Sequence, residues 1–377
     1  MKIIIIIIFF SVVILINFNA TAQTHEGIIN PYWDSYSLNY QPVENAGKGY
    51  TGAASEGNIL SGLLNPASVK FDKKYQAYLE YDVKNSLPWS SLLNSDVKMK
   101  QIHPAFAAGF GFRLGKDFHA GVIIRNERNW MLDLGRTRNY PGTEYYDNYE
   151  TYTVNTLTVP VAWHYKAFDF GVNLNLMLLH SRQVYYIEEM LNPVLDVSTN
   201  NIKFVPDIGI RITPVKDFSL GATFTPGFEQ ELEREYPTQP APYKSVAYFP
   251  WKFGAGAEAR FLNEKLKISG EYRFEHTSVY DGSGSMLNYN FKDRHNVRFG
   301  AEFSPDEKFT LRGGLFTLLD MRPEVYPEIQ DRSLSQYNVT AGFSYRLDNV
   351  KFSFACVNGL SKQVEVMRVS FGAVYDF

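Results

Sequence analysis

The sequence predicts an all-β fold: a transmembrane antiparallel β-barrel of about fourteen strands over residues 69–377, with an N-terminal plug over residues 23–68 in its lumen. Three observations predict it. Many segments alternate apolar and polar residues with a period of two, tight polar turns alternate with long loops, and aromatic residues are abundant. The chain is 15% aromatic, with 25 Tyr and 28 Phe among 377 residues, yet its mean hydropathy is only -0.24. Strands that are apolar on one side only, with girdles of Tyr, Phe and Trp, give that combination.

Residues 1–22 read as an export signal. Met1-Lys2 supplies a small positive start, Ile3 to Phe18 is almost uninterrupted apolar sequence, and Ala20-Thr21-Ala22 offers small residues at the cleavage position. Gln23 is the expected mature N-terminus. The apolar run is shorter than the ~20 residues that cross a bilayer as a helix. No cysteine stands at the end of that run, which excludes an N-terminal lipid anchor, and the single Cys356 forms no intramolecular disulfide. The expected location is the bacterial outer membrane.

The strands follow from alternation, because successive side chains of a strand point to opposite faces. Phe106, Ala108, Phe110, Phe112 and Leu114 oppose Ala107, Gly109, Gly111 and Arg113. Leu266, Ile268, Gly270, Tyr272 and Phe274 oppose Lys267, Ser269, Glu271, Arg273 and Glu275. At the C-terminus Met367, Val369, Phe371, Ala373, Tyr375 and Phe377 oppose Arg368, Ser370, Gly372, Val374 and Asp376. A last strand ending on an aromatic resembles the assembly signal of outer-membrane barrels, here Phe371, Tyr375 and Phe377. Charges this regular do not belong in a dry core, where an unpaired charge costs several kcal/mol. They suit a water-lined lumen.

Tight turns are expected at Gly115 to Asp117, Lys166-Ala167, Pro214 to Asp217, Asn263 to Lys265, Ser304 to Lys308 and Leu347 to Asn349. Long loops are expected near residues 93, 140, 195, 237, 284 and 328. This alternation puts the turns on the periplasmic side and the loops outside. Two loops stand out: Asn139 to Tyr152, acidic and dense in tyrosine, and Glu229 to Tyr243, acidic and then proline-rich. Such loops fit a ligand vestibule, a protein contact or an interfacial aromatic belt equally well.

The segment before the first strand has a different composition. It is rich in Gly, Asn and Ala, has no period of two, and carries Gly47, Gly49, Gly52, Gly57 and Gly62. Glycine at this density permits tight turns and close packing, as in a lumenal plug; a disordered periplasmic leader is the alternative. The stretch Ala46-Gly47-Lys48-Gly49-Tyr50-Thr51-Gly52-Ala53-Ala54, then Ser61 to Leu64, then Asn65-Pro66-Ala67, resembles the N-terminal hatch of the FadL/TodX outer-membrane transport family. Two features depart from that pattern. The spacer Ser55-Glu56-Gly57-Asn58 lacks a run of aspartates, and Asn65-Pro66-Ala67 continues as Ser68-Val69 rather than Gly-Leu. The motif is shared by a related branch, the PorV-like barrels of a protein secretion system.

The resemblance implies passive uptake of hydrophobic small molecules such as fatty acids or aromatic hydrocarbons, with Gly47, Gly49, Gly52, Asn65, Pro66 and Ala67 as hatch or gating residues. The PorV-like branch implies docking of secreted proteins instead. Expected partners are outer-membrane lipid, a hydrophobic small-molecule ligand, the barrel-assembly machinery and, on the second reading, secretion-system proteins. The mixed lumen charges Arg113, Glu258, Arg260, Glu271, Arg273, Arg298, Arg312 and Arg346 are expected to brace the plug or meet a ligand head group.

No catalytic or cofactor motif is present. Seven histidines are scattered without metal-ligand spacing, and neither a Gly-x-Ser-x-Gly elbow nor a phosphate loop occurs. No cofactor, metal or enzymatic activity is expected. A net charge of -3 gives no electrostatic case for nucleic acid.

Overall fold

The computed structural model describes residues 41–84, 87–88, 98–102, 104–138, 145–187, 195–234, 243–278, 292–320, 335–360 and 367–377. The signal segment, residues 23–40 of the expected plug, and the loop centres near residues 93, 140, 237, 284 and 328 lie outside them.

The strands in chain order are β1 (Tyr75–Lys84), β2 (Leu87–Pro88), β3 (Lys98–Gln101), β4 (Ala105–Leu114), β5 (Phe118–Arg138), β6 (Tyr145–Tyr165), β7 (Phe168–Ile187), β8 (Leu195–Val215) and β9 (Phe218–Thr225). They continue as β10 (Phe228–Arg234), β11 (Tyr243–Phe249), β12 (Lys252–Phe261), β13 (Leu266–Glu275), β14 (Arg294–Phe303) and β15 (Phe309–Leu318). The last three are β16 (Gln336–Leu347), β17 (Val350–Gly359) and β18 (Met367–Asp376).

The wall is a closed ring of fourteen antiparallel strands, β1, β4 to β9 and β12 to β18, in which β1 pairs with β18 and β5 with β6. Closure leaves no open edge in the wall. Each expected tight turn joins its two strands at one end of this ring. Strands β2 and β3 extend the sheet from β5, and β10 and β11 form a separate hairpin. Three expectations are corrected here. Tyr145–Tyr152 belongs to β6 and Leu195 opens β8, because both strands run about a dozen residues beyond what a membrane crossing needs, and Glu229–Arg234 belongs to β10, where pairing with β11 satisfies its backbone.

Outward residues are apolar around the ring, among them Val122, Leu174, Leu176, Ile208, Phe299, Leu315, Phe343, Phe352 and Phe371, all exposed. An apolar band this continuous on a closed barrel is a lipid-facing surface. On β7 and β8 it ends at the pair Leu178↔Ile202, and the next pair outward is His180↔Asn200, joined by a side-chain hydrogen bond. At the turn end Trp163 stacks on Tyr165 and Phe170 as part of an aromatic girdle. The inward set is the small and charged one: Glu258, Glu271, Arg312, Ser344, Arg368 and Asp376 are all buried.

Residues 41–72 fill the lumen. They form a short helix α1 (Val43–Gly47) and two 3-10 turns, Ile59–Leu63 and Pro66–Ser68. A single parallel bridge, Gly57↔Val69, ties the loop between them. Val43, Ala46, Tyr50, Ala53, Ile59, Leu60, Leu64 and Ala67 are all buried. The segment bonds to strands all around the ring, which only a position inside the barrel permits.

Candidate functional site

The first half of the lumenal segment is held by charge-assisted hydrogen bonds. Val43 N donates to Glu80 of β1 at 2.6 Å. Gly52 N and Ala53 N both donate to Glu271 of β13, at 2.9 and 2.8 Å, and Ser55 Oγ donates to Glu258 of β12 at 2.6 Å. Arg298 Nη1 donates to the Tyr50 carbonyl at 2.9 Å, and one such bond reaches the second half, from Arg273 Nη2 to the Leu64 carbonyl at 3.2 Å. Glu44 receives Lys351 at 2.6 Å and Arg312 at 3.4 Å. Burial pushes the Glu44 carboxyl upward, but Lys351 and Arg312 outweigh it and hold it below its ordinary range. Arg368, fully buried, pairs with Asp82, donates to Tyr50 Oη at 2.8 Å and to the Gln41 carbonyl at 3.1 Å.

Gly49 sits at φ +68°, and Tyr50 follows at φ 58°. Only glycine adopts the first conformation without strain, and a Cβ there would lie 2.3 Å from the Phe299 carbonyl oxygen. Gly49 N donates to Thr340 Oγ1 at 2.9 Å, and the same hydroxyl donates to Gly47 O at 3.0 Å. Gly47 rests against Gly342, and Gly52 against Leu64.

The second half packs on β4 to β8 with few charges. Ile59, Leu60, Val69 and Phe71 form one apolar cluster with Tyr78, Ala107, Ile123, Ala162 and Val374. Asn65 caps the turn that Pro66 opens, its Oδ1 accepting from Ala67 N at 3.0 Å. Its Nδ2 donates to Ile210 O at 3.1 Å. Proline is suited to the first position of such a turn because no partner is required for the missing N–H. Asn173 Nδ2 donates to Gly62 O at 2.8 Å. His164 Nε2 donates to Val69 O at 2.9 Å, and His119 Nε2 to Phe71 O at 3.0 Å.

Glu56 links the halves. It meets Arg211 of β8, which also binds Asp169, and Lys70 at 2.8 Å. Burial raises the Glu56 carboxyl, but Arg211 and Lys70 overcome it and bring it down to about 2.

Two cavities flank the segment. One of about 220 Å³ lies at the long-loop end, lined by Tyr50, Leu63 and Leu64 of the segment, by Phe228, Phe249, Phe274 and Phe316, and by charged side chains of both signs, Arg125, Glu127, Asp207, Lys252, Arg273, Glu275, Arg294 and Arg298. The other, of about 250 Å³, lies at the turn end and is lined by charged side chains including Glu44, Lys267, Glu302 and Lys351. The β5–β6 ladder is interrupted beside the segment: pairs run from Phe118↔Trp163 to Ala120↔Val161 and resume at Ile123↔Thr158. Pro160, which has no N–H to donate, stands in that interval, and Gly62 lies against it.

Of the charges singled out in the sequence, Glu258, Glu271, Arg273, Arg298 and Arg312 contact the lumenal segment. Three have their side chains bound within the wall or are placed elsewhere. Arg260 bonds to Glu258, Lys216 O and Ser219, and Arg346 to Asp376. Arg113 shares the turn end, where its backbone N–H meets Lys74 O. Sequence reasoning missed Glu44, Glu56, Glu80, Asp82, Arg211 and the His119–His164 pair. Close packing was expected at Gly109 and Gly111, which lie against Ile59 and Phe71, but not at the other inner glycines. A Cβ at Gly221, for example, would lie 1.8 Å from Ala53 O. Phe371 faces outward, and Phe377 packs on Tyr75 and Tyr375 where β18 closes on β1. Among the described residues no group of three or more His, Cys, Asp or Glu could hold a metal ion.

No family model matches the sequence, and no curated protein does. Solved structures do. The toluene transporter TbuX of Ralstonia pickettii superposes with a TM-score of 0.67 at 17% identity, covering 90% of this chain and 98% of its own. A FadL homologue of Pseudomonas aeruginosa gives 0.64 at 11% identity over 89% and 98%. The toluene transporter TodX of Pseudomonas putida gives 0.61 at 14% over 94% and 98%. The chain therefore has the fold of the FadL/TodX outer-membrane transport barrels, which residues 46–67 already resembled.

Proposed function

We propose that this chain is a passive outer-membrane channel for hydrophobic small molecules, with residues 41–72 as its hatch. The observation that carries the reading is the aromatic cavity at the long-loop end, closed below by Tyr50, Leu63 and Leu64 of the lumenal segment. A ligand enters among the outer loops and rests on that floor. Its onward path is sideways rather than down, because the turn-end cavity is lined by charge and solvates an apolar molecule poorly. The interrupted β5–β6 ladder beside Ile59 and Gly62 supports such a route. The segment's second half, held there by apolar contacts and by single hydrogen bonds rather than by ion pairs, is the part that moves. Lys252 on the cavity wall suits ligands that carry a carboxylate head.

The test is uptake of a radiolabelled aromatic hydrocarbon by cells bearing the assembled barrel. Deletion of residues 24–64 is expected to change its rate severalfold, and P160V, which restores a donor to the ladder, to lower it. Unchanged uptake in both variants overturns the reading.

A further inference from the structure

The cavity at the long-loop end is lined by charge as well as by aromatic rings, and most of that charge cancels within the wall. Arg125 pairs with Glu127 at 3.0 Å, and Arg294 with Glu275 at 3.1 Å. Arg273 and Arg298 both meet Glu271, and each also donates to a carbonyl of the lumenal segment. Two lining charges have no ionic partner among the described residues, Asp207 of β8 and Lys252 of β12. Both are half-buried, so each is open to the contents of the cavity.

Asp207 is held by neutral donors alone. Thr225 Oγ1 donates to its Oδ1 at 2.8 Å, and Asn175 Nδ2 and Asn173 Nδ2 donate to its Oδ2 at 2.8 and 3.2 Å. These bonds fix the carboxylate in place and bring it no opposite charge. A carboxylate has about four acceptor positions, so one is left for a further donor.

The register sets the interval between the two charges. β8, β9 and β12 are successive neighbours in the wall. Thr225 of β9, which holds Asp207, is also the register partner of Lys252. Asp207 and Lys252 thus share the inner face with one strand between them, about 10 Å apart at the backbone. A head group with an ammonium and a carboxylate on one carbon, making a charge-assisted bond of about 2.8 Å at each end, fills an interval of that size. The flexible lysine stem adjusts the fit.

A bare hydrocarbon leaves both charges uncompensated, and a singly charged ligand leaves one. The rest of the lining receives an apolar body. Phe228 stacks on Phe249 with centroids 4.3 Å apart, and Phe274, Phe316, Leu63 and Leu64 complete that side. A cavity of about 150 Å³ accepts one benzene ring, and this one, of about 220 Å³, has room for a short head group besides. We propose that Asp207 and Lys252 form a head-group site for a zwitterion on an apolar body, with its ammonium at Asp207 and its carboxylate at Lys252. An aromatic α-amino acid is the simplest molecule of that class. This inference rests on the channel reading and narrows its substrate class to amphiphiles.

The test is calorimetric titration of the full mature protein in detergent with four probes built on one ring: L-phenylalanine, 2-phenylethylamine, 3-phenylpropanoate and 2-phenylethanol. They carry both charges, the cation alone, the anion alone and neither. Phenylalanine is expected to bind at least about tenfold tighter than either singly charged probe, the gain of one charge-assisted hydrogen bond. D207N should erase its advantage over 3-phenylpropanoate, and K252M its advantage over 2-phenylethylamine. A variant that does not assemble is recognised by loss of the heat-dependent gel shift of a closed barrel, and the other substitution then decides. Tightest binding of 3-phenylpropanoate overturns the site and leaves Lys252 as a plain carboxylate contact. Equal affinity for all four probes overturns it too, as does an advantage that survives the substitutions. Failure of all four probes to bind also overturns the site. The channel reading falls with it only where hydrocarbon uptake is also unchanged by the deletion of residues 24–64 and by P160V.

Discussion

The two halves of the lumenal segment are fastened to the wall by different physics. Residues 43–56 meet β12 to β18 and β1 through carboxylates, arginines and backbone N–H groups: Glu80, Glu258, Glu271, Arg298, Arg312, Lys351 and Arg368. Residues 59–71 meet β4 to β8 through the apolar side chains Ile59, Leu60, Val69 and Phe71 and through a few hydrogen bonds to backbone carbonyls, from Asn173, His164 and His119, with no ion pair among them. Ion pairs and charge-assisted bonds are directional, and a shift of an ångström breaks them. Apolar contacts are non-directional and re-form after a slide. One half is thereby an anchor and the other a bearing surface. The interrupted β5–β6 ladder lies on the bearing side.

The largest expected effect comes from breaking the anchor at its most buried pair. Arg368 and Asp82 have side chains 0% and 1% exposed. Substituting R368M strands the Asp82 charge in the lumen wall, a change that costs roughly 3–5 kcal/mol for a buried pair. It also removes the donors to Tyr50 Oη and the Gln41 carbonyl. Hydrogen exchange of residues 41–56 should rise by orders of magnitude while exchange in the apolar-facing strands stays slow. The double variant D82N/R368M should recover much of the loss. If R368M loosens residues 59–71 as much as residues 41–56, the two halves are one cooperative unit and the comparison fails.

A smaller effect is expected on the bearing side. Ile59 is fully buried between Gly109, Gly121 and Ile123. Its truncation in I59A removes three carbons and leaves a cavity, at a cost of about 2–4 kcal/mol. The loss falls on the segment and not on the hydrogen-bonded ring. Exchange should accelerate at residues 57–71 with the barrel's thermal midpoint nearly unchanged, and hydrocarbon uptake should rise. A fall in uptake would show that Ile59 guides the ligand rather than blocking its path.

The wall was legible in the sequence because the bilayer imposes a simple rule on it. Lipid outside and water inside demand strict alternation, so the inward side of β13, with Lys267, Ser269, Glu271 and Arg273, could be read directly. The tight turns were legible for the same reason, since each interrupts the alternation at a fixed spacing. The reach of β5 to β8 was not. Above the His180↔Asn200 pair both faces of the sheet leave the lipid, and Tyr145–Tyr152 reads as polar sequence with no stripe to mark a strand. Within the lumen the composition of the segment was visible, and its partners were not. Glu271 receives Gly52 and Ala53 from more than two hundred residues away, and no local pattern encodes such a pairing. Asn65-Pro66-Ala67 shows both sides of this limit. A capped turn follows from the residue types, whereas its docking against Gly171 and Gly209 follows only from the closed barrel.

The joint between the two halves offers the smallest effect and the sharpest one in pH. Glu56 stands at about 2 in the folded chain against an ordinary 4.5, because Arg211 and Lys70 outweigh the burial that would raise it. A carboxyl depressed by folding contributes stability that is fully present above its unfolded value and is lost as the pH falls through the folded one. The window therefore runs from about pH 4.5 down to about 2. A third of the Glu56 side chain is exposed, so solvent screens the pair and the energy involved is modest. Across this window the tie from Glu56 to Arg211 should weaken while Arg211 keeps Asp169 as a second partner. Protease cleavage within residues 55–60 should increase on acidification in the native protein, and E56Q should show the acid-like rate already at neutral pH with a flatter profile. If E56Q keeps the native profile, the acid sensitivity belongs to another carboxylate. Glu44 is the next to test, because its partners Lys351 and Arg312 lie on the anchor side, and opening there would expose α1 instead of the joint.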